Sequence, residues 1–164
     1  PITARGAGTS CAGNAVGPGV VLDFSRHMNG IDRVDPESRT AVVQPGVVQA
    51  ALMKAAAPHG LRFGPDPSSL SRCTIGGMIG NNACGPRALG YGRSSDNVVA
   101  LDVITGTGER LSLDSRADLT ASDSPTLRAR MAVYGRAGRS TVTAPLTGSG
   151  SGSTVIAQVS MTST

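Results

Sequence analysis

The sequence predicts an α+β domain of short strands, few helices and long glycine-rich loops. Three observations carry that expectation. Brief β-branched runs are bounded by turn residues, as in GVVLDF (19–24), RTAVVQPG (39–46) and VVALDVITGTGERLSL (98–113). One stretch, 47–57, repeats its apolar residues at three- and four-residue spacing. Twenty-two glycines and ten prolines in 164 residues favour turns over long helices.

Taken in order, Pro1-Ile2-Thr3 reads as a short strand feeding the loop ARGAGTSCAGNA. GVVLDF is a second strand, broken near its end by Asp23. The charged turn DPES (35–38) leads into RTAVVQPG, which Pro45-Gly46 stops. Val47, Val48, Ala51, Leu52, Ala55 and Ala56 form the stripe of a structural helix, Val47 to Ala57, ended by Pro58-His59-Gly60. Gln49 and Lys54 fall on its polar face. Residues 65–97 read as loop-rich, with Pro65, Pro67 and the glycine cluster. Residues 98–113 read as a β-hairpin about Thr105-Gly106-Thr107-Gly108. A helix can begin at Ser124-Pro125, a serine cap before a first-turn proline. The domain is expected to run over 1–139. The rest, 140–164, is uncharged and rich in Ser, Thr and Gly. Its run Val155 to Val159 fits either an edge strand or a disordered tail.

Composition narrows the function classes. Apolar residues make up 39% and aromatics only 2%, so the core is expected to be aliphatic. The +4 charge comes from fourteen arginines and one lysine, with no basic run and few aromatic platforms. That is a solvated arginine surface rather than a nucleic-acid interface. Cys11, Cys73 and Cys84 are odd in number and lack a C-x-x-C pair, against both a disulfide framework and a metal site. Reduced thiols place the protein in the cytoplasm, free or peripherally at the inner face of the membrane. No apolar run reaches the eighteen residues of a membrane span. The opening PITARG starts in mid-motif, as a piece of a longer protein would.

Two glycine clusters carry the chemistry. In Arg5-Gly6-Ala7-Gly8-Thr9-Ser10, small residues let backbone N–H groups converge on an anion, and Thr9 and Ser10 add hydroxyls. An ordinary tight turn has the same composition. A Walker loop is excluded because Lys54, the sole lysine, lies in the predicted helix. The fingerprint G-x-G-x-x-G fails at Cys11. In the second cluster, TIGGMIGNNACG (74–85), Gly76, Gly77 and Gly80 admit a flat ligand, and Asn81 and Asn82 offer amides to ring heteroatoms. Two such loops about seventy residues apart suit a long ligand with a phosphate middle and a planar end, the shape of a flavin dinucleotide.

The ordered series ITARGAGTSCAGNA, VVLDFSRHMNGI, VQPGV, GPDPSS, TIGGMIGNNACG and GYGRSSDNVVALDVITGTGE resembles the FAD-linked oxidases. Their FAD domain is of the vanillyl-alcohol-oxidase, or p-cresol-methylhydroxylase (PCMH), type. The glycolate oxidase and D-lactate dehydrogenase group is most similar, including long bacterial proteins that join the flavin domain to an iron–sulfur region. The resemblance covers about 1–113. It implies two α+β subdomains with FAD between them, truncated at the N-terminus and without the substrate cap domain. It makes Arg5, Gly6, Ala7, Gly8, Thr9 and Ser10 the pyrophosphate loop, with Gly13 and Asn14 just beyond. Pro65, Asp66, Pro67, Thr74, Ile75, Gly76 and Gly77 would line the dinucleotide, and Asn81, Asn82 and Gly85 the flavin. Thr9 stands where some members carry a flavin-linking histidine, which implies non-covalent FAD. TGSGSGSTVIAQV (147–159) takes the place of the family's late glycine loop without its acid or leucine.

The resemblance further implies hydride transfer from a small 2-hydroxy acid to flavin in the longer protein, with iron–sulfur clusters only in parts absent here. No residue pattern identifies the catalytic base or the electron acceptor. Asp66 and Asp96 are expected in turn or capping roles, while Arg87 and Arg93 are the arginines within the second cluster. Two alternatives stay open: an FAD- and NADPH-dependent reductase on the same fold, and a catalytically silent binding domain.

Overall fold

A computed structural model describes residues 1–104, 108, 110–114, 154–160 and 162–163. Along the chain the elements run β1 (Ile2–Arg5), β2 (Val20–Asp23), β3 (Ile31–Asp35), β4 (Thr40–Val43), α1 (Gln49–Ala56), β5 (Leu61–Arg62), α2 (Ile75–Gly80), α3 (Ala88–Tyr91), β6 (Val98–Ile104), β7 (Arg110–Asp114), β8 (Thr154–Ser160) and β9 (Thr162–Ser163). β1 and β2 pair in parallel, from Ile2 opposite Val20 to Arg5 opposite Asp23. A five-stranded antiparallel sheet has the order β3-β4-β8-β6-β7, and β5 pairs with β9.

The DPES turn closes β3 onto β4. Asp35 Oδ1 accepts from the backbone N–H groups of Glu37 and Ser38 at 3.0 and 3.2 Å, the local bonding that makes Asp a turn residue. The hairpin expected over 98–113 is β6 and β7, paired from Ala100 with Asp114 to Ile104 with Arg110. Of its connection only Gly108 is described, at φ +86°. The helix proposed at Ser124-Pro125, the boundary at 139 and residues 140–153 lie outside the described residues.

Three expectations need correction. Val155 to Val159 belongs to β8, which is neither edge nor tail: it pairs with β4 on one side and β6 on the other. Its apolar, β-branched composition suits that interior position. Second, Gln49 does not lie on a polar face. It is fully buried in the same stripe as Leu52 and Ala56, at helical spacings of three and four. Third, the glycine-rich stretch read as loop-rich contains α2 and α3.

The reason for α2 is tertiary rather than local, since glycine is a poor helix former. Thr74 caps it, its Oγ1 accepting from the N–H of Gly77 at 3.4 Å. Its first two residues are tied to the segment before α1: Ile75 N–H donates to Val47 O and Gly76 N–H to Pro45 O, both at 2.8 Å. A Cβ on Gly76 would stand 2.7 Å from Pro45 Cβ, so a bare residue is required there.

Among the described residues the apolar core is aliphatic except for Phe63, Met78 and Cys73. Ala41, Val43 and Val103 of the sheet meet Val47, Leu52 and Ala56 at α1, together with Leu61, Phe63, Ile75 and Met78. Each fully buried large side chain contributes roughly 1.5–3 kcal/mol. The same cluster anchors the first residues of α2, which fixes the second glycine loop to rigid structure. By contrast, Ile2, Val20, Val21 and Leu22 of the parallel pair are exposed. Among the described residues no helix is long and apolar enough to cross a membrane, and no cluster of three His, Cys, Asp or Glu could hold a metal.

Candidate functional site

The first glycine loop springs from the end of β1. Arg5 lies opposite Asp23 in the strand pairing, and its Nε stands 3.8 Å from Asp23 Oδ2. Asp23 is itself tied to Ser25, accepting from the hydroxyl at 2.6 Å and the backbone N–H at 2.9 Å. Those two bonds hold its carboxyl below the usual value, with Arg5 and Arg26 adding a smaller electrostatic pull. From this anchor the Arg5 guanidinium folds over Gly8, whose φ of +67° is the left-handed region. Among the described residues no acceptor engages the backbone N–H groups of Gly6, Ala7, Gly8, Thr9, Ser10 or Cys11. Six consecutive unengaged donors beside a guanidinium are a donor set suited to an anion.

The loop then turns at Gly13, where Val16 N–H donates to Gly13 O at 3.1 Å. Next to it, Asn14 reaches across to the second cluster: its Nδ2 donates to Asn81 Oδ1 at 2.7 Å. Asn81 in turn donates to Gly77 O at 2.9 Å, the last turn of α2. A second junction lies deeper. Gly6 rests on Thr74 so closely that a Cβ would collide with the Thr74 hydroxyl. The two side-chain-poor segments, sixty-seven residues apart at Asn14 and Asn81, therefore meet at two places.

The remaining predicted residues flank this junction. Pro65 is buried, and its carbonyl accepts from the Gln49 amide. Asp66 is mostly shielded and gathers several partners: Arg87 Nε at 3.3 Å, Arg62 Nη2 at 3.9 Å and the Arg87 backbone N–H at 3.4 Å. Gly85 packs directly against the Asp66 backbone and carboxylate. Pro67 O closes a turn with Leu70 N–H at 3.0 Å. Asn82 takes a left-handed conformation, φ +46°, and accepts from Ser95 N–H at 3.1 Å. Segments 5–14, 65–67, 74–77 and 81–85 thus adjoin one another in front of α1, with Pro65, Thr74 and Ile75 buried beneath the more accessible residues.

Asp96 holds the turn role expected of it, its Oδ2 accepting from Arg93 N–H at 2.8 Å, whereas Asp66 is held by the Arg62 and Arg87 side chains and by the Arg87 N–H across the fold. His27 and His59 are exposed and lie outside the first loop. Arg62 was not foreseen; it stacks on Tyr91, 5.5 Å from the ring centroid, while paired to Asp66. Gln49 was also missed. The signal that would have found it is its place in the buried stripe with Leu52 and Ala56.

By its own chemistry the site offers unengaged amides and a guanidinium suited to an anion, with side-chain amides next to them. Comparison with known proteins agrees. A family model described as an FAD binding domain matches residues 1–114. D-2-hydroxyglutarate dehydrogenase of Pseudomonas putida is 43% identical over 110 residues, covering 67% of this chain and 11% of that protein. Glycolate oxidase subunit GlcD of Escherichia coli (strain K12) is 43% identical over 119 residues, covering 71% of this chain and 24% of that protein. The chain thus spans only a small part of the length of these relatives. A solved structure of alkyldihydroxyacetonephosphate synthase superposes with TM-score 0.68 at 24% identity, over 99% of this chain and 29% of that one, a likeness of fold. Loop geometry, family match and fold converge: this chain belongs to the FAD-binding domain family, in its PCMH-type α+β fold.

Proposed function

We propose that this chain is the FAD-binding module of a flavin-dependent oxidoreductase that converts a 2-hydroxy acid to the 2-keto acid. The observation that supports it most directly is the double junction of the two glycine loops, Gly6 on Thr74 and Asn14 on Asn81. In this reading the amides of Gly6 to Ser10 and the Arg5 guanidinium receive the pyrophosphate. Pro65 to Pro67 and Thr74 to Gly77 line the dinucleotide; Gly13 and Asn14 close one end, and Asn81, Asn82 and Gly85 face the ring. Non-covalent attachment follows from Thr9 and from histidines that lie outside the loop. The bound flavin supplies the hydride acceptor, and the protein places the ring and keeps water from it.

The substrate class rests on names. The relatives are a D-2-hydroxyglutarate dehydrogenase and glycolate oxidase subunits, and both named acids carry the hydroxyl next to the carboxyl. Glycolate or D-lactate was expected from the sequence. Asp66 is engaged by two arginines and Asp96 by a turn, so neither carboxylate is free to act as base. The base, the carboxylate anchor and the route for electrons, iron–sulfur clusters included, are assigned to parts of the longer protein. The module alone then binds FAD with little turnover. A cytoplasmic setting, inferred from the cysteine count, belongs to the same proposal.

The test is to purify the longer protein, release its cofactor and identify it by mass, then add D-2-hydroxyglutarate, glycolate, D-lactate and NADPH in turn without oxygen. Bleaching of the flavin absorbance by one of the hydroxy acids is expected. Absence of FAD, or bleaching by NADPH alone, overturns the reading.

A further inference from the structure

Among the described residues Gln49 is the one fully buried amide side chain in the core, and it belongs to none of the loops assigned to the cofactor. It occupies the first turn of α1, where a polar side chain could have pointed to water. Instead it makes three bonds inward. Its backbone N–H donates to Cys73 O at 3.0 Å, its Oε1 accepts from Cys73 Sγ at 3.4 Å, and its Nε2 donates to Pro65 O. The amide orientation is fixed by chemistry: a proline carbonyl can only accept, so the NH₂ must face Pro65 and the oxygen must face the thiol. Burial raises the Cys73 thiol above its usual value, which keeps it protonated and able to donate.

These partners stand at the start of, or immediately before, two segments assigned to the proposed dinucleotide site. Pro65 begins 65–67, and Cys73 precedes Thr74, the residue on which Gly6 rests. The backbone pairing of 45–49 with 73–76 fixes only the second of those segments. The Gln49 side chain extends the same framework to the first. A buried amide bonded at both its oxygen and its nitrogen is costly to place and costly to disturb, so it specifies one spacing between the segments it joins.

We propose that Gln49 is a positioning residue for FAD, setting the separation of the 65–67 and 73–77 segments from behind the site. This rests on the flavin-binding reading above. Gln49 need not touch the cofactor; it acts through the carbonyl of Pro65 and the chain at Cys73.

The experiment is FAD titration of the chain and its variants, followed by quenching of flavin fluorescence between pH 5 and 8, with far-UV circular dichroism of each FAD-free sample. Gln49→Met keeps length and apolar character but loses both amide bonds; FAD binding about tenfold weaker is expected at every pH, the equivalent of one lost buried bond. Gln49→Glu separates positioning from packing. Ionised, it sets an acceptor against Pro65 O; protonated, it regains a donor. Its FAD affinity should therefore fall as pH rises, while that of wild type does not follow the same profile. The charged and titratable groups around its partners are the Cys73 thiol and the Asp66–Arg62–Arg87 cluster, common to wild type and variant, so the wild-type profile subtracts them. Folded variants that bind FAD like wild type at all pH overturn the assignment of Gln49 alone. So does a Met variant that stays unfolded even with saturating FAD, because the role is then structural. Wild type that takes up no FAD overturns the flavin reading itself.

Discussion

The contact between Gly6 and Thr74 gives the sharpest test of how the two loops are joined. In Gly6→Ala the new Cβ collides with the Thr74 hydroxyl and stands 3.3 Å from Thr74 Cβ. Thr74 cannot step aside cheaply: it is 1% exposed, and its hydroxyl caps α2 through Gly77 N–H. Two outcomes compete. If the loops part, overpacking costs about 1–3 kcal/mol. If Thr74 rotates, the cap is lost at about 1 kcal/mol. Either way a destabilisation of about 1–3 kcal/mol is expected, with weaker FAD binding. The decisive measurement is a double-mutant cycle by denaturant unfolding. Thr74→Ala alone should cost about 1 kcal/mol through the cap. Adding Gly6→Ala to Thr74→Ala should then cost much less than it does in wild type, because the clashing oxygen is gone. A coupling of at least about 1 kcal/mol is the expectation for residues in contact. Costs that simply add would mean that the loops do not touch, and the argument for a shared cradle would fail.

Three further predictions concern neighbouring groups. Gly8→Glu should abolish FAD binding by placing a carboxylate among the free amides, whereas Gly8→Ala, strained by about 1–2 kcal/mol at φ +67°, should weaken it only modestly; equal losses would mean that strain, not charge, matters. Asp66→Asn keeps the bond to Arg87 N–H but releases Arg62 and Arg87, and should lower the denaturant midpoint by the equivalent of about 1 kcal/mol; an unchanged midpoint would show that the ion pairs are idle. Ser25→Ala should move the Asp23 titration back up toward its ordinary value, seen by NMR. The folded carboxyl is depressed, so its contribution to stability is complete above the unfolded value of 3.8 and is lost as pH falls below it; at neutral pH the slope of stability with pH should be unchanged.

What the sequence made legible follows from local chemistry. Pro45-Gly46 and Pro58-His59-Gly60 punctuate the chain through their own backbone preferences, so β4 and α1, which they close, were found within a residue or two. The glycine loops were found because side chains were missing, and a lack of side chains is visible in a sequence. β3 escaped because IDRVD mixes charge into a strand whose apolar residues, Ile31 and Val34, only partly pack on the core. α2 escaped because its cause is Pro45 and Val47, some thirty residues upstream. Gln49 was read as polar and therefore exposed, although its spacing with Leu52 and Ala56 placed it inward; its partners, Pro65 and Cys73, are set by tertiary structure alone. The convergence of the two loops is of the same kind. Composition supplied both halves, and only the fold could bring them together.

The central place of β8 bears on the order in which this molecule is assembled. β4 and β6 leave the ribosome long before residues 154–160 do, and until that stretch arrives each presents an unfilled row of amides and carbonyls. The nascent sheet is two separate hairpins awaiting a shared partner, a late, long-range closure of the sort that folds slowly. Ending the chain at residue 153 would therefore open a gap in the middle of the sheet rather than trim its border.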